Sequence, residues 1–367
     1  MKVGILTSSR ADFGLYLPLL KAFQADPFFR LRIIAFGSHL SSEYGNGINH
    51  ISGAGFDVAY QIHGMPDGDS PASISKAMGK TMIDFNEVWG NETFDLVFAL
   101  GDRFEMFAAV ASGVPFNVKF AHIHGGETTK GAIDDAFRHS ITLMSCLHFA
   151  CTEIYRQRVA QITGSEKHTY NSGALGIDNL RTIQFLSAQE FKKLFGIDLS
   201  IPTILTTVHP ETISFENNSH HIDELTAALD QLKDFQVVIT MPNADTAGLV
   251  IRRKLTVYAK GNYRIKLVEN FGSLGYLSCM KHCRLMLGNT SSGFFEASYF
   301  PKWVINLGNR QQGRILTPNI INCPFESNEI IGAVKRILLS EDPDPVDVYG
   351  DGTASEKIIK ILKNEYR

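Results

Sequence analysis

The stretch AHIHGGETTKGAIDDAFRHSIT (121–142) gathers His122, His124, Glu127, Asp134 and Asp135, with an arginine close behind, around consecutive glycines. Three chemistries fit such a set: a metal site, an acid/base site, or a solvated polar loop. His122 and His124 alternate along a β-type run, so both would point to one face, as metal ligands do. No third ligand has matching spacing, and neighbouring arginines would repel a cation, so no metal is expected. Asp134 or Asp135 would serve well as a helix cap, but that leaves the rest of the set unexplained. GDRFE (101–105) adds Asp102, and HPET adds His209 at the end of another β-type run. Several carboxylates with histidine suit proton transfer.

A second group of residues suits anions. Arg10, Arg103, Arg310 and Arg314 each closely follow a β-type run. Guanidinium forks match phosphate oxygens, so together they favour a diphosphate ligand. GNTSSGFFEAS (288–298) opens a helix-period segment in which Ser291 or Ser292 can cap and free N–H groups can bind phosphate. Gly288 and Gly293 permit close backbone approach, and Glu296 in the first turn can accept bonds from a ribose. The motif is neither a P-loop nor GxGxxG. In PNADTAG (242–248), Asn243 and Asp245 can cap a helix or meet a ligand hydroxyl.

The elements that must position these groups follow from hydrophobic periodicity. Continuous apolar runs at 3–9, 30–37, 95–102, 118–125 and 147–152 alternate with helix-period segments at 13–24, 104–113 and 133–146. The pattern restarts with runs at 203–210, 236–243, 263–270, 284–291 and 302–309, then helices at 330–340 and 354–365. Such alternation predicts parallel sheets covered on both faces. The chain is expected to be α/β with two doubly wound, Rossmann-like domains, changing over between about Leu175 and Pro202. We assign 1–178 to the acid/base domain and 179–353 to the nucleotide-binding domain. Ligands of such sheets sit at carboxyl strand ends, where all the residues above fall, and an interdomain cleft is the expected location.

Bulk properties narrow the class. The chain has 367 residues, 44% hydrophobic and 20% charged, with a formal net charge of -3. This gives no reason to expect nucleic acid or an anionic membrane as partner. The apolar run after Met1 is too short for a signal-peptide core, and no run reaches the ~18 residues of a membrane span. The five cysteines, with no CxxC pair, read as reduced buried thiols of a cytoplasmic protein.

In order along the chain, SSRADFG, LGDRFEMF, HIHGGE, IDDAFRHSIT, HPET, NADTAG, GNTSSGFFE and INLGNRQQGR resemble the UDP-N-acetylglucosamine 2-epimerases. The resemblance spans nearly the whole chain and is strongest to the hydrolysing branch that forms N-acetylmannosamine for sialic acid synthesis, and to relatives in legionaminic-type pathways. It implies the GT-B fold, with the last helix (354–367) packed back on the first domain, no metal or redox cofactor, a UDP-sugar partner and a homodimer. The implied reaction releases UDP from C1 as the C2 proton leaves. Water then adds to the 2-acetamidoglucal, and C2 is protonated on the opposite face. By motif position, Asp102, Glu127 and Asp134 are the acid/base candidates, and His209 lies against the leaving phosphate. Arg10, Arg103, Asn243, Ser291, Ser292, Gly293, Glu296 and Arg310 hold the nucleotide. His124 stands where non-hydrolysing members, and some hydrolysing ones, carry glutamate. Competing expectations are the same reaction on a 2,4-diacetamido-trideoxy sugar nucleotide, a GT-B glycosyltransferase, and a silent nucleotide-sugar sensor.

Overall fold

Buried on both faces, the apolar runs fold into two parallel sheets. The computed structural model describes residues 1–41, 47–242, 245 and 247–366. Two compact units result: Met1–Glu127, Asp134–Thr182 and Val348–Arg367 form the first, and Thr128–Ile133 with Ile183–Asp347 form the second.

The first unit runs β1 (Lys2–Thr7), α1 (Arg10–Ala25), β2 (Arg30–Phe36), α2 (Gly47–Gly53), β3 (Val58–Ile62), α3 (Pro71–Asn91), β4 (Leu96–Leu100), α4 (Phe104–Gly113), β5 (Phe120–Ile123), α5 (Asp134–Leu143), β6 (Leu147–Ala150), α6 (Glu153–Thr163), β7 (Thr169–Asn171) and α7 (Leu175–Thr182). Among the described residues its sheet has the order β3-β2-β1-β4-β5-β6-β7, all parallel. The order reverses between β1 and β4, the switch point at which such sheets bind ligands. Alternation along β1 explains the two layers. Val3 and Ile5 pack with α1 residues Phe13, Tyr16 and Leu20, while Leu6 packs with Phe85 and Trp89 of α3 and Met106 of α4.

The second unit runs α8 (Ala188–Phe195), β8 (Thr203–Thr207), α9 (Asn218–Gln231), β9 (Gln236–Thr240), α10 (Gly248–Ala259), β10 (Ile265–Val268), α11 (Gly272–His282), β11 (Leu285–Gly288), α12 (Glu296–Tyr299), β12 (Trp303–Leu307), β13 (Ile320–Cys323) and α13 (Ser327–Leu338). Its parallel order is β10-β9-β8-β11-β12-β13, with the switch between β8 and β11.

The final helix, α14 (Ala354–Glu365), belongs to the first unit. Buried Asp178 on α7 accepts the Ala354 N–H at 2.9 Å and the Ser355 N–H at 2.7 Å, capping α14 with a carboxylate from a distant helix. Ile358 and Leu362 then join the core beside α1.

Several local expectations change, three of them at the candidate site. The helix expected from residue 13 starts at Arg10, because Ser9 and Asp12 form a capping box. The strand expected over 118–125 ends at Ile123. The helix expected after GNTSSG is a 3-10 turn, Ser291–Gly293, followed by the four-residue α12, and neither has a side-chain cap bond. Asn243 lies outside the described residues.

Candidate active site

In the first unit the polar groups sit at the carboxyl ends of adjacent strands. Gly101 takes a left-handed turn after β4 (φ 78), and Asp102 follows it. Arg138 on α5, 1% exposed, is the hub of this region. Its guanidinium pairs with Asp102 and with Asp135 one turn earlier, and Nη1 donates to the Glu127 carbonyl at 3.1 Å. A buried cation of this kind is tolerated only with such partners. Asp135 is therefore committed to Arg138, whereas Asp134 begins α5 at its positive end.

Beneath this hub lies His122, fully buried on β5. Its Nε2 donates to the Gly101 carbonyl at 2.8 Å, and Nδ1 faces the Thr142 hydroxyl at 3.0 Å. Burial pushes its pKa down to about 3, against the opposing pull of the Gly101 carbonyl, so the ring is neutral. His122 thereby ties the turn before Asp102 to α5, one turn past Arg138. His148, its partner across β6, is likewise pushed down to about 4 by burial.

The strand alternation that would pair His124 with His122 does not reach it, because β5 ends at Ile123. His124 lies past β5 in a left-handed conformation (φ 66), with its N–H on the Phe149 carbonyl at 3.0 Å. Its Nδ1 meets Glu127 Oε1 at 2.7 Å, and the Cys151 thiol donates to the same oxygen at 3.3 Å. Ligand atoms of His124, Glu127 and Cys151 lie within 4.8 Å of one another. A third donor that spacing did not offer thus comes from the end of β6. The nitrogen and oxygen, however, stand at hydrogen-bond distance. Bonds of about 2 Å to a tetrahedral metal would hold them about 3.3 Å apart. Gly126 (φ 79) lets this turn press on α6, where a Cβ would overlap the Tyr155 carbonyl.

The remaining first-unit candidates flank this centre. Arg103 makes a forked bond with fully buried Glu105, at 3.1 and 2.9 Å. Arg10 is the first residue of α1, a costly place for a cation unless an anion is also served. Asp12 and His39, which motif reading passed over, form a buried network under this loop. Asp12 accepts from the Thr7 hydroxyl at 2.6 Å and the Ser8 N–H at 2.8 Å, and Thr7 also meets His39 Nε2 at 2.9 Å. Burial alone would raise Asp12; the His39, Thr7 and Ser8 contacts outweigh it and hold the carboxyl below its ordinary range.

The second unit organises its strand ends around Asn289. The His209 N–H donates to Asn289 Oδ1 at 2.7 Å, and Asn289 Nδ2 donates back to the His209 carbonyl at 2.9 Å. Gln311 Nε2 donates to the Asn289 carbonyl at 2.7 Å, with Arg310 Nη1 3.5 Å from it. The loops after β8, β11 and β12 are thus locked together. Gly288 (φ 148) is required there, because a Cβ would strike the Thr207 carbonyl. Ser292 Oγ lies 2.6 Å from the Tyr276 hydroxyl, and burial raises the Tyr276 pKa well above its ordinary value. Gly293 and Glu296 are buried, and Ser291 is half-buried beside them. Arg314 stacks over Phe295, 4.9 Å from the ring centroid. His209 Nδ1 stands 4.0 Å from Asp245.

Two parallel doubly wound units, with polar groups hung from their carboxyl strand ends, are the Rossmann-like pair of the GT-B fold class. The sequence profile described as UDP-N-acetylglucosamine 2-epimerase matches residues 21–363, and the chain belongs to that family. It is 36% identical over 341 residues to the GDP/UDP-N,N'-diacetylbacillosamine 2-epimerase (hydrolyzing) of Campylobacter jejuni, covering 93% of this chain and 88% of that one. It is 32% identical to the polysialic acid biosynthesis protein P7 of Escherichia coli (99% and 94% covered). It is 30% identical to the UDP-N,N'-diacetylbacillosamine 2-epimerase (hydrolyzing) of Legionella pneumophila (99% and 95%). Among solved structures, the Neisseria meningitidis UDP-GlcNAc 2-epimerase bound to UDP-GlcNAc shares the fold. Its TM-score is 0.84 at 18% identity, over 99% of this chain and 100% of that one. No described helix is long and apolar enough to cross a membrane.

Proposed function

We propose that this chain is a hydrolysing nucleotide-sugar 2-epimerase whose substrate is a nucleotide-linked N,N'-diacetylbacillosamine. The observation that carries the reaction class is the set of proton-active groups, Asp102, His124, Glu127 and Asp134, gathered at the β4 and β5 ends and the start of α5 around Arg138. Loss of a C2 proton needs a nearby base, and return of a proton to the other face needs a second group. As the C2–H bond breaks, its electron pair forms the C1–C2 double bond, and the C1–O pair leaves with the diphosphate. Water then adds at C1 while C2 regains a proton, releasing a free 2-epimerised sugar.

In this reading Asp102, Asp134 and Glu127 paired with His124 supply the acid/base chemistry, and His209 stabilises the leaving phosphate. Arg10, Arg103, Asn243, Ser291, Ser292, Gly293, Glu296 and Arg310 bind the nucleotide. The reaction requires no metal or redox cofactor, and the active form is a cytoplasmic homodimer. The activities for which the Campylobacter and Legionella relatives are named support the diacetamido sugar. UDP-GlcNAc is the second reading, supported by a Neisseria meningitidis UDP-N-acetylglucosamine 2-epimerase 26% identical over 362 residues.

Product analysis by NMR on UDP- and GDP-diacetylbacillosamine and UDP-GlcNAc, with a chelator present, tests this. The expected products are free nucleoside diphosphate and free 2-epimer, fastest from the diacetamido sugar. Product that stays nucleotide-linked, or sugar transferred to an acceptor, would refute hydrolysis.

A further inference from the structure

His124 and Glu127 occupy the same strand end, and the geometry gives them different tasks. An ionised carboxylate only accepts, so the proton in the 2.7 Å contact belongs to His124 Nδ1. The basic lone pair of the ring is then on Nε2. Glu127 Oε1 is also claimed by the Cys151 thiol at 3.3 Å. Exposure ranks the members the same way: 9% of the His124 side chain reaches the surface against 3% of Glu127, and Cys151 is 1% exposed. The backbone at His124 is left-handed (φ 66), past the end of β5. Such a conformation in a non-glycine residue is strained and persists where the surroundings impose it. Here the Phe149 carbonyl, the Glu127 carboxylate and the turn against α6 do so.

We propose that His124 Nε2 is the proton-transferring group of this strand end, and that Glu127 and Cys151 are positioning residues that act through it. The proposal rests on the 2-epimerase reading for the identity of the proton moved. In elimination, the C2 proton passes to Nε2 while the C2–H electron pair forms the double bond and the C1–O pair leaves. In hydration a carboxylic acid on the opposite face, Asp102 or Asp134, gives its proton to C2 as water oxygen bonds to C1, and the proton that water loses passes to the other carboxylate. The imidazolium releases its own proton to solvent. Glu127 balances the positive ring that elimination creates, much as a buried carboxylate steadies the imidazolium of a hydrolase triad. Other groups that face or neighbour this dyad are neutral His122, and Arg138, whose Nη1 holds the Glu127 carbonyl rather than its carboxylate.

The test couples histidine nitrogen NMR to kinetics. In the unmodified protein, the His124 signal, assigned by its loss in His124→Gln, should report the proton on Nδ1, and Glu127→Gln should abolish that preference. His124→Gln should lower kcat about 10³-fold, near the middle of the range for general acid–base groups. Glu127→Gln should cost about 10- to 100-fold, and the double variant should be no slower than His124→Gln alone. Cys151→Ser, which keeps a donor, should restore most of what Cys151→Ala loses. Glu127→Gln abolishing turnover while His124→Gln keeps more than a tenth of kcat would overturn the assignment. So would a His124 ring protonated on Nε2, a result independent of activity. Absence of turnover by the unmodified protein on every sugar nucleotide would instead sink the epimerase reading.

Discussion

The strand ends of the two units are built from opposite materials. In the first, ionised and titratable groups hold one another: Arg138 between Asp102 and Asp135, His124 on Glu127, Arg103 on Glu105. In the second, neutral amides and hydroxyls do the fixing: Asn289 clamps His209, Gln311 reaches the Asn289 backbone, and Ser292 meets Tyr276. Charges that hold one another can also exchange protons, which suits chemistry. A neutral amide clamp holds its shape whatever the protonation state, which suits binding of a diphosphate whose own charge is fixed. The contrast predicts that damage to the first unit's network lowers kcat and damage to the second's raises KM.

Removing the hub is the hardest test. Arg138→Met leaves Asp102 and Asp135 without their guanidinium, at a cost on the order of 3–5 kcal/mol in urea unfolding. Activity should fall by at least 10³-fold. A smaller loss with near-normal kcat would break the idea that charge positions this wall.

Acid should strike the same unit. Buried His122 and His148 are held near 3 and 4, while the unfolded chain takes up protons below about 6.5. Both pKa values are depressed in the fold, so the unfolded state binds more protons in that window and stability falls as pH falls. Between pH 6.5 and 5 the two rings together should remove about 3 kcal/mol. His148→Asn should reduce that loss by about half, as read from unfolding curves at the two pH values.

Asn289→Ala sharpens the comparison from the other side. Losing both bonds to the His209 backbone should cost about 2 kcal/mol. KM for the sugar nucleotide should rise about tenfold with kcat changed less than threefold. The smallest effect is expected at Asp178. Asp178→Ala should cost about 1 kcal/mol, as loss of a helix cap does, and should speed amide exchange at the start of α14 while leaving kcat unchanged.

Much of this was legible in the chain. Strands buried on both faces are unbroken apolar runs, and their carboxyl ends carry the polar motifs, so both sheets and most candidate residues could be read directly. What was hidden depends on contacts between elements. Cys151 reaches Glu127 only because β5 and β6 are neighbours. Arg138 stands i+3 from Asp135, a visible spacing, but its bond to Asp102 crosses from α5 to the end of β4. His124 breaks the strand alternation through a backbone turn that no residue type in HIHGGE announces. Asn289 looked like part of a phosphate loop, and its clamp on His209 follows from the β8–β11 pairing. The six residues Thr128–Ile133 inside the acid/base motif belong to the second unit, bonded to Gln312 and Thr212.

In the proposed function the first unit moves a proton at C2 of a sugar nucleotide. Turnover in heavy water, with the released sugar read by NMR, tests it most directly. The expected products are free nucleoside diphosphate and a free 2-epimer carrying one deuterium at C2, with both release and labelling lost in Asp102→Asn. A released sugar that keeps its original hydrogen and configuration at C2 would contradict it.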